Sequence, residues 1–220
     1  MKIEKLLIRV FIIISFSSCT LEPFEDKINP VSLEQTEIVE ESSLFASDEQ
    51  HKSYTFETNR TEYLTANGWT LWTVPCVNTQ ENFKPLTVEV IKKSGRTEAG
   101  FGIVFCAQEI KGKQFMLTVL INGNGYYTVG RVYNGVFSHI NEGWKNSNFI
   151  NKGYGIKNTI AVTYDEISRN FLLKINGYNV TEFTVSENIL FKNSRSGFAV
   201  VIANNESFPN NPVKVTFENK

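Results

Sequence analysis

Beyond residue 85, apolar side chains recur at every second position, in short runs cut by glycine and asparagine. Leu86, Val88 and Val90 share one face; so do Phe101, Ile103 and Phe105, and Phe171, Leu173 and Ile175. Successive side chains alternate across a strand, so this period marks one buried sheet face. No stretch sustains a helical period. Strands are predicted over 86–92, 99–106, 114–121, 126–132, 159–164, 171–175, 197–203 and 213–217. Weaker candidates are 54–58, 69–74, 136–140 and 179–184. The fold class is therefore all-β.

The punctuation agrees. Asn122-Gly123, Asn134-Gly135 and Asn176-Gly177 each separate two such runs. Both residue types tolerate the positive φ of type I′ hairpin turns. Strand 114–121 should then pair with 126–132, and 171–175 with 179–184. This turn chemistry also accounts for 22 asparagines in residues 53–220, against a single aspartate, Asp165. Many short strands with alternating faces point to a sandwich or jelly roll of two antiparallel sheets. An aromatic content of 13% is enough for its core.

One ordered series carries a resemblance. It runs through Ala99-Gly100-Phe101-Gly102-Ile103-Val104-Phe105, residues 115–120, and Gly125-Tyr126-Tyr127-Thr128-Val129-Gly130-Arg131-Val132. It continues through 158–162, 171–177, 196–200 and the last strand, 212–218. Across residues 83–219 this resembles the concanavalin A-like lectin/glucanase domains, of laminin G and pentraxin type. The resemblance implies a jelly roll over residues 53–220 and glycan as the ligand.

The first residues read as an address. Lys2, Lys5 and Arg9 precede an apolar run, 10–16, broken only by Ser15. It is too short for a spanning helix, which needs about 20 apolar residues. A positive flank, a short apolar core and small residues make a secretory signal. Phe16-Ser17-Ser18-Cys19 resembles the bacterial lipoprotein signal, which implies a signal peptide over 1–18 and a lipid on Cys19. An ordinary cleaved signal with an incidental cysteine is the other reading. Residues 19–52 then form an acidic, flexible tether. From residue 20 they hold nine acids against two lysines, a charge of −7, whereas 53–220 hold 17 basic residues and 13 acids, or +4. The implied place is the cell envelope, periplasmic or at the cell surface. The membrane is a partner through the lipid.

Little in the sequence carries catalysis. Glycosidases of this fold place two carboxylates on one strand, because the reaction needs an acid and a base or nucleophile about 5–10 Å apart. No such run occurs. Glu89, Glu182 and Glu218 each stand alone on their strands, and Asp165-Glu166 fall on a turn; carboxylates of different strands are left to meet. Calcium prefers six to eight oxygens including carboxylates, and one aspartate is a poor supply. Two histidines and three cysteines exclude a zinc module of the Cys- or His-rich kind. A net charge of −1 argues against a nucleic-acid partner. No cofactor is expected. His51 lies in the tether; His139 reads as a surface or cross-strand residue. Cys76 and Cys106 are free to bond after export, or Cys106 is a small core residue.

Aromatic side chains remain. Sugar rings stack on Trp and Tyr, and the same flat amphipathic groups suit protein interfaces. The candidate ligand-binding residues are Tyr127, Arg131, Tyr133, Trp144 and Tyr154. Tyr127 and Arg131 share a strand face, while Trp144 and Tyr154 sit in an irregular segment, 141–157, long enough for a functional loop. The competing reading packs Trp144 over a sheet edge, with Arg131 covering it. At least one of Trp69 and Trp72 is expected in the core. The expected function is non-catalytic glycan binding. The alternatives are a protein-interaction or structural module of the cell envelope and a glycoside hydrolase. The last requires two facing carboxylates.

Overall fold

The computed structural model describes residues 53–64, 71–72, 76–77 and 81–220, the two short pairs by backbone alone. The expected signal peptide, the tether and Cys19 lie outside the described residues, as do Trp69 and the side chains of Trp72 and Cys76.

Two antiparallel sheets face one another. The first has six strands: β1 (Ser53–Thr58), β4 (Leu86–Ser94), β10 (Lys157–Asp165), β11 (Asn170–Ile175), β12 (Tyr178–Phe183) and β14 (Val213–Asn219). Their spatial order is β1-β14-β4-β10-β11-β12. The second sheet contains β2 (Leu71–Trp72), β5 (Phe101–Ile110), β6 (Lys113–Ile121), β7 (Tyr126–Tyr133), β8 (Val136–His139) and β13 (Arg195–Val201). Its order is β2-β13-β5-β6-β7-β8, with β3 (Cys76–Val77) beside β13 and β9 (Lys145–Asn146) beside β7. The chain crosses between sheets after β1, β3, β4, β9, β12 and β13, and β14 lies between β1 and β4. This is a jelly-roll-like sandwich, the expected class.

The core lies between the sheets. Val88, Val90, Ile160, Val162, Leu173 and Phe217 meet Phe101, Ile103, Phe105, Leu117 and Val119, all essentially inaccessible. Phe198 and Phe217 stack at 4.5 Å and 11°. Each such side chain contributes about 1.5–3 kcal/mol by burial. A second apolar cluster, with Val104, Met116, Leu120, Val132 and Ala199, occupies the outer face of the eight-stranded sheet. Strands β5 and β6 are thus buried on both faces. At Cys106 the backbone turns to φ 53 and the register with β6 shifts. Phe105 and Cys106 therefore both join the inner core, and Ala107 falls in the outer cluster. Cys106 is a free thiol packed as a small core residue, and burial pushes its pKa up.

The hairpins form where the turns predict. β6 pairs with β7 and β11 with β12. Both residues of Asn134-Gly135 (φ 50 and 78) and of Asn176-Gly177 (φ 52 and 85) take positive φ. Asn122-Gly123 behaves otherwise. Its turn spans four residues: Gly125 takes φ 89, and Asn122 Oδ1 accepts hydrogen bonds from Asn124 N and Tyr126 N. An asparagine side chain replaces a backbone acceptor there, so the positive φ falls at Gly125.

Register places the loops at two ends. Loops 95–100, 122–125, 140–156 and 202–212 and the turn at Asn176-Gly177 share one end. There Ser94 faces Lys214, Phe101 faces Ile121, and Lys157 faces Ile91. Ser53 faces Glu218, so β1 begins toward the opposite end.

Candidate functional site

The structure divides the five sequence candidates. Tyr127 is 6% exposed; it points inward from β7 into the core, and burial raises its pKa. It offers a ligand no free ring face. Tyr127, Val129, Arg131 and Tyr133 do share a face, but it is the inner one. Arg131 and Tyr133 lie toward the far end of β7, and Tyr133 is six residue steps along the strand from Tyr127, about 20 Å. Arg131 is ion-paired with Glu187, and its Nε donates to Ser138 Oγ at 3.2 Å. Tyr133 packs on the core with Lys113 Nζ 5.5 Å over its ring. Both have partners within the fold, at the end of β7 away from Trp144 and Tyr154.

Trp144 and Tyr154 lie at the two ends of loop 95–100. Tyr154 Oη donates to the carbonyl of Gly95. A Cβ on Gly100 would lie 2.9 Å from Trp144 Cη2, so the indole tip rests where that glycine has no side chain. Trp144 therefore rests on the sheet at the start of β5, an interior strand and not the sheet edge, and still leaves 38% of its surface to solvent. Tyr154 is 48% exposed.

Two further aromatics at this end were not singled out from sequence. Phe149 and Tyr178 stack at 4.5 Å and 10°, and remain 41% and 58% exposed. Asparagines hold them in place. Asn158, 2% exposed, accepts from Asn151 N at 2.8 Å and from Asn176 Nδ2 at 2.9 Å. Asn176 Nδ2 also donates to Phe149 O, and Asn176 Oδ1 accepts from Thr159 N. The loop carrying Phe149 is thus tied to the turn just before Tyr178. A sequence signal existed: Tyr178 directly follows an Asn-Gly turn, where an aromatic is thrust outward.

A polar cluster underlies the same end. Lys92 is fully buried; its Nζ donates to Ala99 O at 2.9 Å and lies 5.5 Å over the Phe101 ring. Burial pulls its pKa down to about 8, opposed by the charges of Glu206 and Glu98. Glu206, 7% exposed, accepts from Arg96 N with both carboxylate oxygens at 3.0 Å. The Arg96 side chain donates in turn to Asn205 O.

Two carboxylates do meet across strands. Glu89 on β4 stands opposite Glu218 on β14. They line a small cavity of about 90 Å³ with Ser53, Ile91, Thr216 and Phe217. Lys157 and Lys220 both pair with Glu89, and Lys220 Nζ is 2.7 Å from Glu218 Oε1. These ammonium groups lower the Glu89 pKa, Lys157 first. A glycosidic general acid needs the opposite shift, and a ligand pocket is usually 300–1,000 Å³. The pair does not fit that chemistry. Asp165 caps its own turn, accepting from Ile167 N and Ser168 Oγ. Among the described residues no group of three His, Cys, Asp or Glu is placed to hold a metal. His139 is a cross-strand residue, with Nδ1 2.7 Å from Thr128 Oγ1.

No family model and no curated protein matches the chain. Solved structures similar to it include the carbohydrate-binding module CBM66 from Bacillus subtilis, at 9% identity and TM-score 0.47, over 76% of this chain and 92% of that one. A native glycosidic hydrolase is similar at 10% identity and TM-score 0.48, over 80% and 91%. Sheep galectin-11 in complex with glycerol is similar at 10% identity and TM-score 0.38, over 64% and 96%.

Proposed function

We propose that this chain is a lipid-anchored protein of the bacterial cell envelope whose β-sandwich binds glycan without cleaving it. The observation that carries the reading is that four exposed aromatics, Trp144, Phe149, Tyr154 and Tyr178, stand at one end of the sandwich. Sugar rings bury their C–H faces on such side chains. Three of them sit on loops held by hydrogen bonds and Tyr178 opens strand β12, which reduces the ordering cost of binding. Glu89 and Glu218, the carboxylate pair on the six-stranded sheet, are neutralised by lysines, which supports binding over hydrolysis. The anchor rests on the N-terminal signal pattern and Cys19. β1 begins away from the aromatic end.

The test is a glycan array probed with the soluble chain lacking residues 1–19, beside Trp144→Ala and Tyr178→Ala. Circular dichroism establishes that both variants fold. Binding by the parent that either variant loses supports the reading. No binding on a broad array removes it and leaves a protein partner in the envelope as the alternative. The anchor is tested separately, by labelled palmitate incorporated into the full chain but not into Cys19→Ser.

A further inference from the structure

We infer that the ligand is an anionic polysaccharide, held by the Phe149–Tyr178 stack and the ammonium groups of Lys145 and Lys152. The inference rests on the glycan reading above and names the ligand class. Residues 143–157 contain three lysines and no acid. Lys157 is paired with Glu89. Lys145 and Lys152 are exposed and have no ionic or hydrogen-bonding partner among the described residues. Glu142, just before the segment, forms no ion pair with either.

Both lysines are positioned by the fold. Lys145 is fixed by backbone pairing of β9 with β7, opposite Tyr127. The Lys152 stem crosses Gly125, where any side chain would collide with its methylenes. Ser147 N donates to Gly125 O at 2.9 Å and Gly153 N to Gly123 O at 3.0 Å, so the segment is pinned to the turn between β6 and β7 on both sides of Phe149. Two ammonium groups without counter-charges therefore stand on the same pinned segment as an exposed ring stack. A polymer with a carboxylate or sulfate on its sugars satisfies both parts at once. Rings cover the aromatics, and anions take the free lysines.

The test uses the soluble chain lacking residues 1–19, with polygalacturonate, hyaluronate and heparin as anionic probes. Carboxyl-reduced polygalacturonate is the neutral comparator, and polyglutamate is a polyanion without sugar. At least one anionic polysaccharide should bind about tenfold or more tighter than the neutral polymer, with an affinity that falls as salt rises. Lys145→Glu with Lys152→Glu should weaken it about tenfold, the sum of two reversed surface charges. Tyr178→Ala should weaken it as well, and polyglutamate should bind poorly. Equal binding of the neutral polymer, or binding indifferent to the lysine reversals, overturns the inference and leaves the glycan reading standing. Binding of polyglutamate as strong as that of the polysaccharides overturns it too, because charge alone then suffices. Failure of all three anionic polysaccharides to bind overturns the inference as well, and the broad array then decides the glycan reading separately.

Discussion

Asn158 and Asn151 exchange two hydrogen bonds: Asn158 Oδ1 accepts from Asn151 N at 2.8 Å, and Asn158 Nδ2 donates to Asn151 O at 2.9 Å. A side-chain amide here does the work of a strand partner for the backbone of Asn151. Because Asn158 also accepts from Asn176 Nδ2, one buried residue joins loop 140–156 to the hairpin carrying Tyr178. Asn158→Ala should cost about 2 kcal/mol, since it orphans buried polar groups. Hydrogen exchange at residues 149–153 should rise more than in the core strands. A variant of unchanged stability and unchanged exchange would show that the ladder does not hold the loop.

Lys92 predicts an alkaline signature. Its ammonium is buried, chiefly desolvated, and faces Glu206 and Glu98; its pKa is about 8 against an ordinary value of 10.5. Below pH 8 both folded and unfolded chains hold the proton. Between about 8 and 10.5 the unfolded chain holds more, so stability should rise with pH across this window, by about 3 kcal/mol at most. Tyr127 and Tyr154, whose pKa values are raised, pull the other way above pH 10. The comparison is therefore with Lys92→Met, by denaturant unfolding at pH 7.5, 8.5 and 9.5. The parent should gain stability relative to the variant over that series. Parallel profiles would mean that Lys92 does not titrate in this range.

Glycine at two neighbouring positions serves different purposes. A Cβ on Gly102 would collide with the backbone carbonyl of Val119, which cannot move without breaking the sheet. A Cβ on Gly100 would meet the tip of Trp144, which can swing. Gly102→Ala should therefore cost about 3 kcal/mol or more, a core overpacking effect. Gly100→Ala should cost about 1 kcal/mol and shift the fluorescence of Trp144. Similar stability losses in both, with unchanged emission, would contradict this placement of the indole.

Much of the sandwich was legible because its signals are local. Period-two apolar runs marked the strands of both sheets, and Asn134-Gly135 and Asn176-Gly177 marked their turns. Two things hid the rest. Strand β5 is buried on both faces and carries a bulge at Cys106, so alternation could not locate its end at Ile110. Which face of β7 looks inward depends on sheet stacking, a non-local property. Tyr127 and Arg131 were rightly placed together, yet the face they share is the core face. The meeting of Glu89 with Glu218 was likewise invisible, because it depends on β14 lying beside β4. Trp144 and Tyr154 were legible as loop aromatics; their stacked neighbours Phe149 and Tyr178 were not, since 29 residues separate them in sequence.

The separation of the two ends gives the last prediction. Arg131 and Glu187 form an ion pair whose guanidinium is 38% exposed, so screening limits its worth to about 0.2–1 kcal/mol. Arg131→Ala should therefore lower the melting temperature by only a few degrees. It should leave affinity for any glycan ligand unchanged, because it acts at the far end of β7. Trp144→Ala should do the reverse, leaving most stability and losing affinity. If Arg131→Ala abolished binding while Trp144→Ala did not, the ligand would sit at the end carrying Glu187, and the aromatic end would have some other use.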